Sequence, residues 1–182
     1  MTATSPATAL RIESLKSKIR DVPDFPKPGI VFKDITTLLG EGPAFREVLD
    51  LLADLCRDRE VDKVVAIESR GFILGGALAD RLGVGFVPVR KPGKLPAKSV
   101  RATYELEYGS DSLEMHEDAL RRGERVWVVD DVIATGGTAK ATGELVERLG
   151  GQVIGYAFLV ELTFLKGRDR LRGYDVRSLI RY

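Results

Sequence analysis

The chain has 182 residues, 44% of them apolar, and its 28 basic side chains nearly balance its 27 acidic ones. This length predicts a single domain over residues 1–182 with a substantial core. The formal charge of +1 excludes a globally basic nucleic-acid binder and an acidic disordered tail. One Cys and one His exclude an internal disulfide, a thiolate metal cluster and a His-paired metal site. Any chemistry must therefore use carboxylates, Lys, Arg, hydroxyls and backbone groups.

The sequence carries no targeting or membrane signal. No apolar run approaches the roughly 20 residues that a membrane span needs. The first ten residues, MTATSPATAL, lack the basic segment and following apolar stretch of a signal peptide. We therefore expect a cytoplasmic protein that binds neither membranes nor nucleic acids.

The N-terminal part contains two helical patterns separated by a proline-rich stretch. Apolar residues at helical spacing predict a short helix over residues 10–20 and a longer one over about 43–58. The prolines of residues 22–29 exclude a helix interior or a central strand there. Residues 30–35 fit a short extended segment.

After residue 58, short apolar runs alternate with helical patterns. This alternation is typical of βαβ units around a buried parallel sheet. We therefore predict an α/β fold with a mainly parallel central sheet flanked by helices. The strands are expected at 61–67, 85–89, 126–129 and 153–160, and the helices at 72–82 and 137–149.

Residues 91–124 interrupt this alternation and are too long for a simple connection in a compact α/β domain. Residues 91–101 carry only basic charges, and residues 105–118 carry only acidic ones. Alternating polarity over 100–108 and 113–115, joined by 109–111, predicts a hairpin with a polar tip. Such an insertion fits a flexible lid over a site. The alternative is an exposed hairpin whose complementary charges face each other.

The strongest functional signal is the stretch Val126-Trp-Val-Val-Asp-Asp-Val-Ile-Ala-Thr-Gly-Gly-Thr138. Asp130 and Asp131 follow an apolar strand, and ligands of open α/β sheets bind at the carboxyl ends of strands. Two adjacent carboxylates repel each other unless hydroxyls, a cation or basic groups oppose them. The vicinal diol of a ribose, with a divalent ion nearby, suits such a pair.

The residues that follow predict an anion-binding loop. Successive backbone N–H groups of Ala134, Thr135, Gly136, Gly137 and Thr138 can converge at a helix N-terminus, with two threonine hydroxyls added. A diol site beside a phosphate site fits a ribose 5-phosphate. The alternative is an acidic turn, a Thr N-cap and a flexible loop. The stretch is neither a Walker motif nor G-x-G-x-x-G.

This motif resembles the 5-phosphoribosyl diphosphate (PRPP) site of type I phosphoribosyltransferases. Further segments resemble, in the same order, those of the adenine-specific members of that family. The resemblance runs from about residue 10 to the C-terminus. The segments are Phe25-Pro-Lys-Pro-Gly-Ile-Val-Phe-Lys-Asp-Ile35, Glu68-Ser-Arg-Gly-Phe72, Arg90-Lys-Pro-Gly-Lys-Leu-Pro96, Leu106-Glu-Tyr-Gly109 and Val160-Glu-Leu162.

The resemblance implies a fold with an N-terminal helix and hood over about 10–35 and a hairpin lid over about 91–124. It implies transfer of the phosphoribosyl group of PRPP to N9 of adenine, giving AMP and diphosphate in purine salvage. It further implies Mg²⁺ carried mainly by PRPP, with Asp130 and Asp131 contributing indirectly, and a homodimer.

The resemblance also assigns residue roles. Ser69, Arg70, Arg90, Lys94 and Tyr108 would meet the diphosphate, and Arg70 would be the catalytic cation. Carbonyl and N–H groups of one residue suffice to read the adenine edge. In the family that residue corresponds to Val31, with Phe32 stacking on the base and Lys33 where an Arg is frequent.

The proton of adenine needs a separate group. Hypoxanthine-guanine members carry an Asp where this chain has Ala134, so that carboxylate is missing here. The resemblance assigns the proton to Glu107, whose pKa a closing lid could raise by desolvation. Two alternatives stay open: a phosphoribosyltransferase for xanthine, guanine or orotate, and a non-catalytic PRPP-sensing regulator.

Overall fold

The computed structural model describes residues 5–105 and 109–182 of the chain. Contacts divide it into two compact units, Met1–Leu51 and Leu52–Tyr182. Within the described ranges, no helix is long and apolar enough to cross a membrane.

Helix α1, Pro6–Lys16, begins and ends earlier than the predicted 10–20. Its start is set by Ser5, whose side-chain oxygen accepts a hydrogen bond from the N–H of Thr8 at 3.2 Å. Proline is compatible with the first helical turn because its missing N–H needs no partner there. This capping explains why the helix begins about one turn earlier than predicted.

The remainder of the first unit contains a two-stranded antiparallel ribbon and the start of a long helix. Strand β1, Arg20–Pro23, pairs with β2, Val31–Asp34, so the extended segment predicted at 30–35 is confirmed. Pro23 is tolerated because it ends a strand of an isolated ribbon. The short α2, Thr36–Leu39, was not predicted, whereas α3, Gly42–Cys56, matches the predicted 43–58 closely.

The second unit contains the remaining strands and helices. Two 3₁₀ turns, Thr163–Leu165 and Gly167–Leu171, connect its last two strands. The regular elements are β3 Lys63–Ile67, α4 Arg70–Leu82, β4 Gly85–Val89, β5 Ser99–Glu105, β6 Ser110–His116, β7 Arg125–Ile133, α5 Gly137–Arg148, β8 Gln152–Glu161 and β9 Val176–Arg181.

Five of these strands form one parallel sheet in the order β4-β3-β7-β8-β9. The α/β fold with a parallel central sheet is thereby confirmed. Trp127 of β7 and Phe158 of β8 are fully buried in its core. Because the strands are parallel, their carboxyl ends meet at one edge of the sheet, where ligands of such folds bind. Strand β9 was not predicted, since Arg177 and Ser178 interrupt its apolar pattern.

Strand β7 is longer than the predicted 126–129. Its backbone continues in register with β8, with Asp130 opposite Phe158 and Ile133 opposite Glu161. The prediction was wrong here because it ended the strand at the last apolar residue. The acidic pair therefore lies within the strand, held by the sheet rather than by a loop.

Strands β5 and β6 form the predicted hairpin, which pairs from Ser99 opposite His116 to Glu105 opposite Ser110. The predicted connection at 109–111 was wrong, because Ser110 and Asp111 belong to β6 and pair with β5. Its complementary charges face each other: Arg101 donates to Glu114 at 2.7 Å, and Lys91 forms an ion pair with Asp111. The facing charges that the sequence analysis left as an alternative are present in the structure.

The contact between Gly155 and Trp127 gives a test of core packing. A Cβ at Gly155 would lie within 3.0 Å of three atoms of the Trp127 ring. We expect Gly155→Ala to lower the free energy of unfolding by about 1–3 kcal/mol through overpacking. Urea unfolding followed by the fluorescence of Trp127, the single tryptophan of the chain, measures the change.

Gly76→Ala in α4 is the matched control. A Cβ at Gly76 meets nothing within 4 Å. It should leave stability unchanged or raise it by up to about 1 kcal/mol, because Ala favours helix over Gly. An unchanged urea midpoint for Gly155→Ala would contradict the packing argument.

Candidate active site

A cavity of about 400 Å³ opens at the carboxyl edge of the sheet. It is built by the turn between β3 and α4, the end of β7, the loop that leads into α5, and one residue of the hairpin. Most of the residues predicted to hold phosphate, ribose and diphosphate meet here. The lining consists of Ile67, Glu68, Ser69, Arg70, Tyr104, Asp130, Asp131, Val132, Ala134, Thr135, Gly136 and Thr138.

The two aspartates at the end of β7 are both buried, with 7% of Asp130 and 6% of Asp131 exposed. One carboxylate oxygen of Asp130 accepts the backbone N–H of Asp131 at 2.9 Å. Gly71 of α4 packs so closely that a Cβ there would lie 2.5 Å from the same oxygen. Burial, and next the charge of Asp131, raise the pKa of Asp130 well above its usual range. Asp130 therefore retains a proton more readily than an ordinary aspartate does.

Arg70 provides the opposing charge. It is the first residue of α4, and its Nε donates to Oδ2 of Asp131. The side chain of Arg70 is 38% exposed and the side chain of Asp131 is 9% exposed, so the cation lies on the solvent side of the pair. An anion entering the cavity would therefore meet Arg70 first.

The loop that precedes α5 is the predicted anion-binding loop. Gly136 is the N-cap residue and has φ +80°, a left-handed conformation that side chains disfavour. Gly137 is buried behind the loop, and a Cβ there would lie 3.0 Å from Cδ2 of Tyr104. The loop therefore leads directly into the positive end of the α5 dipole, and its role in binding a phosphate stays a prediction.

Glu68 is a site residue that the sequence analysis did not identify. Its carboxylate is 7% exposed and accepts from Nε of Arg90 at 2.8 Å and from Nζ of Lys94 at 2.6 Å. Burial alone would raise the pKa of Glu68, but the hydrogen bonds from Lys94 and Arg90 lower it below the usual value. Glu68 thus brings the two predicted diphosphate cations to the cavity. No local pattern indicates this, because the partners are distant along the chain.

Tyr104 of β5 is a second site residue that the sequence did not predict. Its hydroxyl accepts a hydrogen bond from Nζ of Lys91 at 3.0 Å and donates to Oδ2 of Asp111 at 3.2 Å. The ring lines the cavity and also packs on Gly137. Tyr104, the second-last residue of β5, therefore joins the turn end of the hairpin to the cavity.

Among the described residues, six predicted site residues do not appear in the lining of this cavity: Arg90, Lys94, Gly137, Val31, Phe32 and Lys33. Glu107 and Tyr108 fall outside the described residues. Val31, Phe32 and Lys33 belong to β2 of the first unit. There the ring of Phe32 meets that of Phe25 edge-on at 5.3 Å between centroids, and Nζ of Lys33 donates to Asp21 at 2.7 Å.

The donor set fits Mg²⁺ only as an ion bound mainly through substrate. In the ranges 5–105 and 109–182, no three His, Cys, Asp or Glu side chains form a group that could hold a metal. Asp130 and Asp131 are adjacent carboxylates at the cavity wall. Mg²⁺ commonly binds through one or two carboxylates together with substrate phosphates and waters. The residues present therefore suit that mode and not a dedicated protein cage.

Comparison with known proteins defines the class. The family model for the phosphoribosyl transferase domain matches residues 35–180. The adenine phosphoribosyltransferase of Thermotoga neapolitana is 60% identical over 168 residues, which are 92% of this chain and 99% of that protein.

Solved structures agree with this match. The adenine phosphoribosyltransferase of Thermoanaerobacter pseudethanolicus superposes with a TM-score of 0.92 at 56% identity, covering 94% of this chain and 99% of that one. The Saccharomyces cerevisiae enzyme, solved with D-2,5-dideoxy-2,5-imino-altritol 1,6-bisphosphate and adenine, has a TM-score of 0.89 at 44% identity with the same coverage. The chain belongs to the phosphoribosyltransferase family, and within it to the adenine phosphoribosyltransferases. The resemblance seen in the sequence motifs is confirmed.

The raised pKa of Asp130 has a consequence for stability. Between the unfolded value near 3.9 and the higher folded value, the folded chain binds more protons than the unfolded one, so stability falls as pH rises. Asp130→Asn cannot ionise and retains an oxygen for the N–H of Asp131. We expect this variant to be more stable than the wild type near neutral pH, with an advantage that shrinks as pH falls towards 4.

Urea unfolding of the ligand-free protein at several pH values measures this effect. Asp58→Asn, at an exposed carboxylate, is the control and should change stability by less than about 0.5 kcal/mol. If Asp130→Asn were less stable than the wild type at neutral pH, the ionised carboxylate of Asp130 would not destabilise the folded protein, and the argument would be wrong.

Proposed function

We propose that this chain transfers the 5-phosphoribosyl group of PRPP to N9 of adenine, releasing diphosphate and forming AMP. One observation carries the proposal: a single cavity at the carboxyl edge of the sheet holds an acidic pair, an anion-binding loop and an arginine. Phosphoribosyl transfer needs these three features side by side, for the ribose diol, the 5-phosphate and the leaving diphosphate.

Asp130 and Asp131 would hold the 2- and 3-hydroxyls of the ribose. Both carboxylates face the cavity from a strand that the sheet keeps rigid. The loop from Ala134 to Thr138 would bind the 5-phosphate through backbone N–H groups and threonine hydroxyls. The site for the diol and the site for the phosphate would be neighbours in one segment of the chain. Together they would hold the sugar at two points and so orient C1 towards the base.

Arg70, with Arg90 and Lys94, would stabilise the charge that develops on diphosphate as the bond between C1 and oxygen breaks. These cations are paired with Asp131 and Glu68 in the structure. Diphosphate would draw them away from the carboxylates, so one set of ion pairs replaces another. From the resemblance, Ser69 and Tyr108 complete the diphosphate contacts.

Adenine recognition rests on the resemblance. Val31 would read the base edge with its backbone, Phe32 would stack on the ring and Lys33 would lie close by. Glu107 would take the proton that N9 loses as its bond to C1 forms. Ala134, in place of an aspartate, argues against a 6-oxopurine.

Mg²⁺ bound to PRPP would supply positive charge to the diphosphate oxygens. Asp130 and Asp131 would help to orient that ion indirectly, through water. The homodimer and the cytoplasmic location stay predictions from the sequence.

The activity is tested by incubating the protein with PRPP, Mg²⁺ and an equimolar mixture of adenine, hypoxanthine, guanine and xanthine. We expect AMP as the dominant nucleotide. A different nucleotide would assign the site to another base, and PRPP binding with no product would favour a regulator. Orotate in a separate reaction completes the comparison.

The proposed role of Glu107 gives a second test. Glu107→Ala should lower kcat by about 10²–10⁴-fold, because it removes a proton acceptor, while the KM for PRPP changes little. The matched control is Glu105→Ala, which removes a nearby carboxylate and should retain most of the activity. Equal losses in kcat and in PRPP affinity would contradict an acid–base role.

A further inference from the structure

The segment between β8 and β9 contacts the back of the anion-binding loop at Gly167. This glycine is buried, and a Cβ there would collide with the carbonyl oxygen of Ala134 and lie 2.9 Å from the backbone N of Gly136. A Cβ at Gly136 would in turn collide with the carbonyl oxygen of Gly167. The two backbones therefore pack directly on each other, and the position of Gly167 limits where the loop can lie.

Arg168, the next residue, ties this contact to the sheet. Its Nε donates to one carboxylate oxygen of Glu161 at 2.9 Å, and a terminal nitrogen donates to the other at 2.6 Å. Glu161 ends β8 and pairs in register with Ile133 of β7. The loop follows Ile133 immediately, so the ion pair and the loop start from the same point of the sheet.

This ion pair differs from a surface pair in its burial and its partners. The Glu161 side chain is 8% exposed and also accepts from Oγ of Ser178 at 2.6 Å. The hydrogen bond from Arg168 is the main cause that lowers the pKa of Glu161. A further nitrogen of Arg168 donates to the carbonyl of Val176. The guanidinium is thus held at three points on β8 and β9, a geometry that requires the planar fork of arginine.

We infer that Arg168 is a positioning residue for the phosphoribosyl site. By its bidentate bond to Glu161 it holds Gly167 against the loop from Ala134 to Thr138, and so keeps the N–H groups of that loop converged. The inference rests on the proposed function, in which this loop binds the 5-phosphate. Arg168 does not line the cavity described above. Its effect should therefore reach the 5-phosphate through the loop and spare diphosphate, which other segments hold.

The experiment compares Arg168→Met with wild type by isothermal titration with AMP and, separately, with inorganic diphosphate and Mg²⁺. We expect AMP to bind about tenfold more weakly, because a small misplacement of binding groups is costly, and diphosphate affinity to be unchanged. Arg168→Lys, which keeps the charge but not the fork, should recover only part of the loss.

Arg172→Met is the matched control. Arg172 lies on the same segment and pairs with Asp169, but both side chains are largely exposed. This variant should bind AMP and diphosphate as the wild type does. An unchanged AMP affinity for Arg168→Met would overturn the inference. So would a parallel loss of AMP and diphosphate affinity, which indicates general loosening of the fold.

Gly167→Ala tests the same contact from the other side. It leaves the ion pair in place but drives a Cβ into the carbonyl of Ala134. A selective loss of AMP affinity is expected again, and this variant decides the question if Arg168→Met does not fold. If the wild-type protein makes AMP and the variants retain full AMP affinity, the positioning role is refuted but the proposed function is not. Wild-type protein that neither binds nor makes AMP would refute the proposed function as well.

Discussion

The repulsion between two adjacent buried carboxylates is the constraint on which the site depends. Asp130 and Asp131 lie in the rigid end of β7, so they cannot move apart. The structure resolves the conflict unequally. Asp130, packed against Gly71, has a raised pKa, whereas Asp131 forms an ion pair with Arg70. The first turn of α4 must therefore lie close to β7, which places Arg70, the proposed diphosphate cation, beside the proposed ribose site.

The cations at the cavity form ion pairs with carboxylates there. In the proposed function, the phosphates of the substrate replace those carboxylates as the partners of the cations. Arg70 pairs with Asp131, while Arg90 and Lys94 share Glu68. Each cation is more exposed than its carboxylate partner, so the cations face entering anions. Because every such pair lies near the surface, exchanging a carboxylate for a phosphate costs less than separating a fully buried pair. The net charge of the chain is near zero, but within the site the cations lie nearer to solvent than the carboxylates do.

The anion-binding loop is closely packed on two sides, by a side chain on one side and by backbone on the other. Gly137 meets the ring of Tyr104, and Gly136 meets the backbone at Gly167. The amino-acid sequence by itself predicts the loop, because an apolar strand, two acidic residues and a glycine pair follow one another along the chain. It did not identify Tyr104 or Gly167, since both belong to segments far away along the chain. The pairing of Arg168 with Glu161 was missed for the same reason.

The amino-acid sequence by itself determined the alternation of strands and helices, the parallel sheet and the location of the acidic pair with its loop. These features follow from periodicity and from residues that are neighbours along the chain, whose spacing any fold must respect. The tertiary structure alone decided that β7 runs through the acids, that β9 completes the sheet, and that Glu68 gathers Arg90 and Lys94. Backbone pairing and buried charge pairs set these outcomes, and both depend on distances that only folding brings within reach.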